Sequence, residues 1–280
     1  MKPLKELLEF GILNLDKPSG PTSFSISDHV HKKLGLRKTS HFGTLDPKVT
    51  GVLPIGLNRA CKLTGYFIGH DKEYIGIMRM HEVVDVKKIE AMIKKKFIGK
   101  IKQMPPVRSA VKRAERVREV FEFEILEVDE GGKDILFRTK VEGGTYIRKI
   151  CSDLGDELGC GAHMLELRRT NAGIFSEEDD SFVNLYDLDK MSEEELAAKI
   201  IPGEEALKKI MPEVRIKDTR LKEIFTGKSI VESDIVKAPK LKKQEVVAVF
   251  SGERFVGIYK YTGEKYAWAR SEFVYQEIRN

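Results

Sequence analysis

Residues 11–15 alternate between apolar and polar positions with the two-residue period of a strand. Thr22 or Ser23 can then cap a helix that runs to about Leu36, where Gly35 helps to end it. Residues 37–50 carry no period and are rich in His, Gly and Thr, as in a loop. Alternation returns from Lys72 to Met80, with Tyr74, Gly76, Met78 and Met80 on one face. Val86 to Phe97 has helical spacing at Ile89, Met92, Ile93 and Phe97. Val117–Val128 and Asp134–Val141 read as a strand pair joined through Glu130-Gly131-Gly132-Lys133. Thr145 to Leu158 is amphipathic, with Ile147, Ile150, Leu154 and Leu158 inward.

Strands and helices mix here without regular βα alternation, which predicts an α+β fold with a mixed sheet. Ser192 with Glu195 fits a capping box that opens a further helix. Ile201-Pro202-Gly203 then reads as a linker. From about Pro212 the pattern changes. Val246–Phe250, Phe255–Tyr261 and Tyr266–Trp268 are short alternating strands separated by Gly252 and Gly263, as in a small β-barrel. The expected division is 11–205 for a first domain and 212–280 for a second, with residues 1–10 packing on the latter. Neither internal repeats nor low-complexity tracts interrupt this plan.

Composition narrows the class. A chain of 280 residues with 33% charged and 41% hydrophobic positions can bury two cores and reads as soluble and globular. No apolar run approaches 18 residues, and the N-terminus lacks the apolar core of a signal peptide, so neither a membrane span nor export is expected. Cys61, Cys151 and Cys160 are odd in number and widely spaced, which reads as reduced thiols in the cytoplasm. The net charge of +5 is unevenly spread. Between Lys94 and Arg118 stand ten Lys and Arg against Glu115, whereas Glu177 to Glu205 holds eleven acids against Lys190 and Lys199. The basic run suits phosphate.

The densest chemistry lies in His41-Phe42-Gly43-Thr44-Leu45-Asp46-Pro47-Lys48-Val49-Thr50-Gly51. Pro47 fixes its own φ and pushes Asp46 toward extended backbone, so the carboxylate sits on a stiff chain. An arbitrary Asp-Pro is ordinarily a turn or a helix cap. A second stretch changes that reading: Gly144-Thr145-Tyr146-Ile147-Arg148 opens a helical pattern and offers a guanidinium. Such a partner opposes the rise in pKa that burial imposes on a carboxylate. No Walker loop, dinucleotide fingerprint or clustered metal ligands accompany them, and the six histidines are scattered.

Together with Gly11-Ile12-Leu13-Asn14-Leu15-Asp16-Lys17-Pro18-Ser19-Gly20-Pro21-Thr22-Ser23 and Leu167-Arg168-Arg169-Thr170, these stretches resemble the signature set of the TruB/dyskerin pseudouridine synthases. Four motifs fall in the right order over residues 11–173. The resemblance implies an enzyme that isomerises uridine in RNA without redox, energy input or cofactor. It makes Asp46 the nucleophile and Arg148 its charge partner. Tyr74 becomes the ring stacked on the extruded base, and is proposed to handle a sugar proton. His41 would lie beside that base, Leu167 would line its pocket, and Lys17 with Pro18 would support the catalytic loop. Lys112 and Arg113 would grip substrate from a loop in the basic run. The C-terminal strands resemble a PUA-type RNA-binding module, although Ser233-Asp234-Ile235 stands where a Pro-Gly-Ile turn is common. Ser40 and Phe42 flank His41 where the family usually has smaller residues, and Asn171-Ala172-Gly173-Ile174-Phe175 lacks the common Gly-Pro-Phe. None of these departures removes a reacting group.

Leu7-Leu8-Glu9-Phe10-Gly11 before the first motif, and Met104-Pro105-Pro106-Val107-Arg108-Ser109-Ala110-Val111-Lys112-Arg113, resemble the archaeal branch that acts within an H/ACA guide ribonucleoprotein. That resemblance implies tRNA or rRNA substrate, a guide RNA, a small zinc-ribbon protein, a Gar-type protein and a kink-turn-binding protein as partners. Two other readings stand beside it. One is a guide-free synthase acting on the tRNA T-loop. The other is a non-catalytic RNA-binding scaffold, which the basic run and C-terminal module alone would support.

Overall fold

The computed structural model describes residues 2–105 and 114–276 and divides the chain into two compact units, Met1–Ile201 and Pro202–Asn280. In the first unit the strands are β1 (Gly11–Lys17), β2 (Thr39–His41), β3 (Thr50–Leu57), β4 (Lys72–Met80), β5 (Gly99–Gln103), β6 (Arg116–Val128), β7 (Asp134–Val141), β8 (Ala162–Ala172), β9 (Phe175–Ser176) and β10 (Phe182–Asn184). The helices that frame them are α1 (Leu4–Glu9), α2 (Ser23–Lys33), α3 (Thr64–Phe67), α4 (Val86–Met92) and α5 (Ile147–Leu158). The main sheet runs β10-β1-β3-β8-β4-β7-β6-β5. Two pairings, β1 with β10 and β3 with β8, are parallel, and the other neighbours along this path are antiparallel. The mixed α+β sheet expected from the sequence is present.

Local chemistry explains most boundaries. Thr22 caps α2 by accepting from the Ser25 amide at 3.0 Å, and Gly35 follows the helix with a positive φ of 59°. On β4 the buried residues are Lys72, Tyr74, Gly76, Met78 and Met80, the alternation that the sequence carries. Helix α5 buries Ile147, Ile150, Leu154 and, between them, Cys151. It starts two residues later than its apolar spacing predicts, because Tyr146 is still extended at its N-cap. The helix expected over residues 86–97 ends at Met92 and continues as a π-turn through Phe97. Residues 37–50 are not all loop, since Thr39–His41 pairs with Leu57–Ile55. No strand is predicted for β3 or β8, and both lie near the middle of the sheet.

In the second unit, strands Glu213–Ile216, Ile235–Lys237, Val246–Ser251, Arg254–Glu264 and Ala267–Val274 form a five-stranded sheet around Val214, Val247, Val249, Val256 and Tyr259. Ile201-Pro202-Gly203 leads directly into a helix, Gly203–Lys208, where a linker is predicted. Among the described residues no helix is long and apolar enough to cross a membrane.

Candidate active site

The loop between β2 and β3 carries Asp46, and its main chain is tied down from several sides. Lys17, at the end of β1, is fully buried, and its Nζ donates to the carbonyls of Pro18 at 2.8 Å, Pro47 at 2.9 Å and Val49 at 2.8 Å. Ser23, the first residue of α2, grips Leu45 twice: its hydroxyl donates to the Leu45 carbonyl at 3.0 Å and accepts from the Leu45 amide at 2.8 Å. The Gly20 amide donates to the Pro47 carbonyl at 2.9 Å. Both neighbours of Asp46 are therefore fixed, while its own side chain stays 48% exposed.

A second cation closes the loop from below. Arg169 on β8 is 1% exposed; its Nε donates to the Val52 carbonyl at 2.7 Å and its Nη2 to the Gly43 carbonyl at 3.0 Å. Tyr74 pairs with it across the β4–β8 register, and its phenol interacts electrostatically with the guanidinium. At Gly51 a Cβ would lie 2.2 Å from the Arg169 carbonyl oxygen, and φ is +96°, so only glycine lets β3 pass β8 this closely. Lys72 stands beside this group at 5% exposure, donating to the carbonyl of Ile68 at 2.7 Å and to that of His70. Burial is the main cause that pulls its pKa down to about 8, with the Arg169 charge adding to it. Lys17 is lowered too, by burial first, with Asp46 opposing.

Arg148 arrives from the other side of the sheet order, as the second residue of α5. Its Nη2 lies 3.2 Å from Asp46 Oδ2, with both side chains less than half exposed. The start of α5 is itself clamped. The Gln103 side chain on β5 accepts from the Tyr146 amide at 3.0 Å and donates to the Tyr146 carbonyl at 3.1 Å. Such a half-exposed pair contributes at most about 1 kcal/mol to stability. Positioning a carboxylate is the stronger reason for it.

The remaining predicted residues fall around this centre. Tyr74 is 7% exposed on β4, and Leu167 is 8% exposed on β8, two residues from Arg169 and paired with Gly76. His41 ends β2, and its Nε2 is 3.1 Å from the Thr44 hydroxyl. Burial, reinforced by Arg169, keeps its pKa below the usual imidazole value, so the ring is neutral at physiological pH. Phe42, bulkier than expected, is buried in a ring cluster, stacked on Phe67 at 5.3 Å and near Phe175 at 6.3 Å. Gly56 makes room for it, since a Cβ there would lie 2.9 Å from the ring. Lys112 and Arg113 lie outside the described residues.

Arg169, Lys72 and Gln103 are site-building residues that no sequence argument singles out. Arg169 stands within a recognised motif, so it was visible as a position but not as a buried clamp. Lys72 and Gln103 read as ordinary strand residues in sequence. The arrangement offers an accessible carboxylate held by a guanidinium, and a buried phenol paired across the sheet with a buried cation. That is suited to nucleophilic attack with a neighbouring proton acceptor or donor. Among the described residues no group of three or more His, Cys, Asp or Glu could hold a metal ion.

Residues 31–147 match the TruB family pseudouridylate synthase (N terminal domain), and residues 148–208 match the tRNA pseudouridylate synthase B C-terminal domain. The probable tRNA pseudouridine synthase B of Methanopyrus kandleri is 43% identical over 259 residues, spanning 89% of this chain and 75% of that one. The protein of the same description from Thermococcus onnurineus is 44% identical, spanning 89% and 76%. Among solved structures, a chain of an H/ACA RNP bound to a substrate RNA containing 2'-deoxyuridine superposes with a TM-score of 0.86 at 34% identity, covering 99% of this chain and 88% of that chain. A chain of a Cbf5-Nop10-Gar1 complex gives a TM-score of 0.84 at 36% identity, covering 99% and 87%.

Proposed function

Because the chain belongs to the TruB family of pseudouridine synthases, we propose that it isomerises a uridine swung out of an RNA strand, with Asp46 as nucleophile. The observation that carries this assignment is the 3.2 Å contact between Arg148 Nη2 and Asp46 Oδ2, made by side chains 102 positions apart in the chain. The reaction breaks the bond from the sugar C1' to the base N1, turns the base, and joins C1' to C5. The C5 proton leaves and N1 gains one, so atoms and electrons balance without a cofactor.

Each residue has a distinct task in this reading. Asp46, with Arg148 facing it, can bond covalently to the substrate while the base is loose. Tyr74 supplies a ring face for the extruded base, offsetting part of the few kcal/mol that extrusion costs. Its hydroxyl, close enough to Arg169 to interact with its charge, would take or return a proton. Neutral His41 and Leu167 bound the base pocket. Lys17 holds the main chain on the C-terminal side of the nucleophile, and Ser23 holds it on the N-terminal side. Lys112 and Arg113 would contact phosphate from the basic run.

For the setting of the reaction we take the guide-dependent assembly first. The two solved structures named above are an H/ACA RNP with substrate RNA and a Cbf5-Nop10-Gar1 complex, and the resemblance spans nearly the whole chain. Guide RNA would then select the uridine, with a zinc-ribbon protein, a Gar-type protein and a kink-turn-binding protein as partners in the cytoplasm. The C-terminal sheet would belong to a PUA-like RNA-binding domain over 212–280, and residues 11–205 would form the catalytic domain. A guide-free tRNA T-loop activity is the second reading, favoured by the description of the curated relatives. Incubating the chain with uridine-labelled tRNA transcript, with and without guide RNA and partners, decides between them. Turnover that needs guide supports the first reading and turnover without guide the second. No turnover in either arm would leave only RNA binding.

A further inference from the structure

We propose that a groove beside the Asp46 loop binds the nucleotide adjacent to the target uridine, stacking its base on Phe24 and meeting its phosphate with Lys38. The groove has a volume of about 370 Å³ and runs between α2 and β2, lined among others by Phe24, Asp28, His31, Lys38, Ser40 and His41. That volume lies in the range of sites for single small ligands, about 300–1,000 Å³. It is large enough for one nucleotide and too small for a folded domain.

Three of the lining side chains stand out because their neighbours are all engaged. Phe24 is 72% exposed and makes no ring contact among the described residues. His31 and Lys38 have no side-chain hydrogen bond or ion pair among the described residues. The other cations around α2 do have partners: Lys32 pairs with Asp28 at 2.7 Å, His29 with Asp189 at 3.0 Å, and Arg37 with Glu9 at 2.6 Å. Lys33 donates to the Asp189 carbonyl at 2.7 Å. A bare aromatic face next to an unpaired ammonium and an unpaired imidazole is what single-stranded RNA uses, since every base has a π-face and every nucleotide a phosphate.

The groove is also fixed relative to the nucleophile. Phe24 directly follows Ser23, whose hydroxyl makes both bonds to Leu45, the residue before Asp46. His41 lines the groove and contacts Thr44, two residues before Asp46. A uridine swung out toward Asp46 leaves its chain neighbours without their stacking partner. The Phe24 ring, one residue from the Ser23 that grips Leu45, would replace that partner. This inference rests on Asp46 being the reacting group.

The test uses the full chain, with guide RNA and partner proteins where turnover requires them. Target RNAs carry 2-aminopurine in turn at each of the two nucleotides on either side of the uridine. Binding should quench its emission at one of these positions, and Phe24→Ala should abolish that quenching while Phe24→Tyr keeps it. Phe24→Ala should act on KM rather than kcat, raising KM roughly 5- to 100-fold, as the loss of one stacked base does. Lys38→Ala should reduce the slope of log affinity against log salt by about one. Because Phe24 is exposed, its alanine variant should melt as the wild type does. Quenching that Phe24→Ala leaves intact at all four positions, or an unchanged KM, overturns the proposal, and is what a groove serving a protein partner would give. Asp46→Asn runs in parallel: if it still turns over, the catalytic reading fails; if it is dead while Phe24→Ala matches wild type, only the subsite fails.

Discussion

The ammonium of Lys17 and the carbonyl of Pro47 are 2.9 Å apart, so a side chain from β1 holds the residue that directly follows Asp46. With its bonds to Pro18 and Val49, Lys17 spends all three donors on main-chain carbonyls. An ammonium without a carboxylate in contact is a costly way to fasten a loop. What it achieves is geometric: the backbone on the C-terminal side of Asp46 has no slack.

Lys17→Met should therefore lose turnover by more than its loss of stability explains. Three carbonyls lose a charged donor, but a buried cation is also removed, so we expect about 1–3 kcal/mol of destabilisation. Misplacing the carboxylate by about 1 Å can cost on the order of 100-fold in rate. Urea unfolding and single-turnover kinetics on the same preparation separate the two. A variant that reacts at the wild-type rate would mean that the loop holds its shape without Lys17.

For Asp46→Asn the separation of turnover from stability should be sharper still. The Asp46–Arg148 pair is nearly half exposed, so its loss should shift stability by no more than about 1 kcal/mol. RNA affinity should stay within about threefold, because phosphate contacts carry most of it. Product formation should disappear. Arg148→Lys retains a charge but not the planar fork, and should fall between the two extremes, with a rate reduced about 10- to 100-fold. Residual turnover by Asp46→Asn within tenfold of wild type would remove Asp46 from the chemistry.

Tyr74→Phe keeps a ring to stack on and removes the hydroxyl that Arg169 meets. Arg169 keeps its bonds to the Val52 and Gly43 carbonyls, so the cost should be about 1 kcal/mol or less, and the variant should slow the reaction while leaving substrate affinity nearly unchanged. A melting curve and a rate measurement check both halves. Full activity would confine Tyr74 to stacking.

How much of this was legible in the sequence depends on the range of each interaction. The β4 alternation and the β6–β7 pair are local patterns, and both appear in the structure close to their predicted bounds. β3 escaped because Pro54 interrupts an otherwise apolar run, and Pro within a run argues against a central strand. Here Pro54 still takes part through its carbonyl, which accepts from the Phe42 amide at 2.9 Å. β8 escaped because its centre is Leu167-Arg168-Arg169-Thr170, too charged for a buried strand. Its charges are met only in three dimensions: Arg168 by Asp16 and Glu177, and Arg169 by main-chain carbonyls and Tyr74. The motifs located Asp46 and Arg148 separately. Their contact needs β5, α5 and Gln103 in place, and no local signal encodes that.

Lys72 gives a prediction in pH. Its pKa in the folded chain is near 8, against about 10.4 when unfolded. Below pH 8 both states carry the proton, and the cost of burying the charge is fully felt. Between about 8 and 10.4 the unfolded chain binds more protons than the folded one, so this group makes stability rise with pH. The gain amounts to at most about 3 kcal/mol, and it is complete above the unfolded value. Other groups work against it in the same range. Cys61 and Cys151 are pushed up to about 11 and about 12 by burial, and Tyr259 is also raised, so these stay protonated in the fold while the unfolded chain ionises, which lowers stability as pH rises. The observable is therefore a difference: wild type minus Lys72→Met, measured by urea unfolding from pH 7 to pH 10.5. That difference should rise across the window. A difference that stays flat would mean that Lys72 remains charged in the fold, with its burial offset by the Ile68 and His70 carbonyls alone.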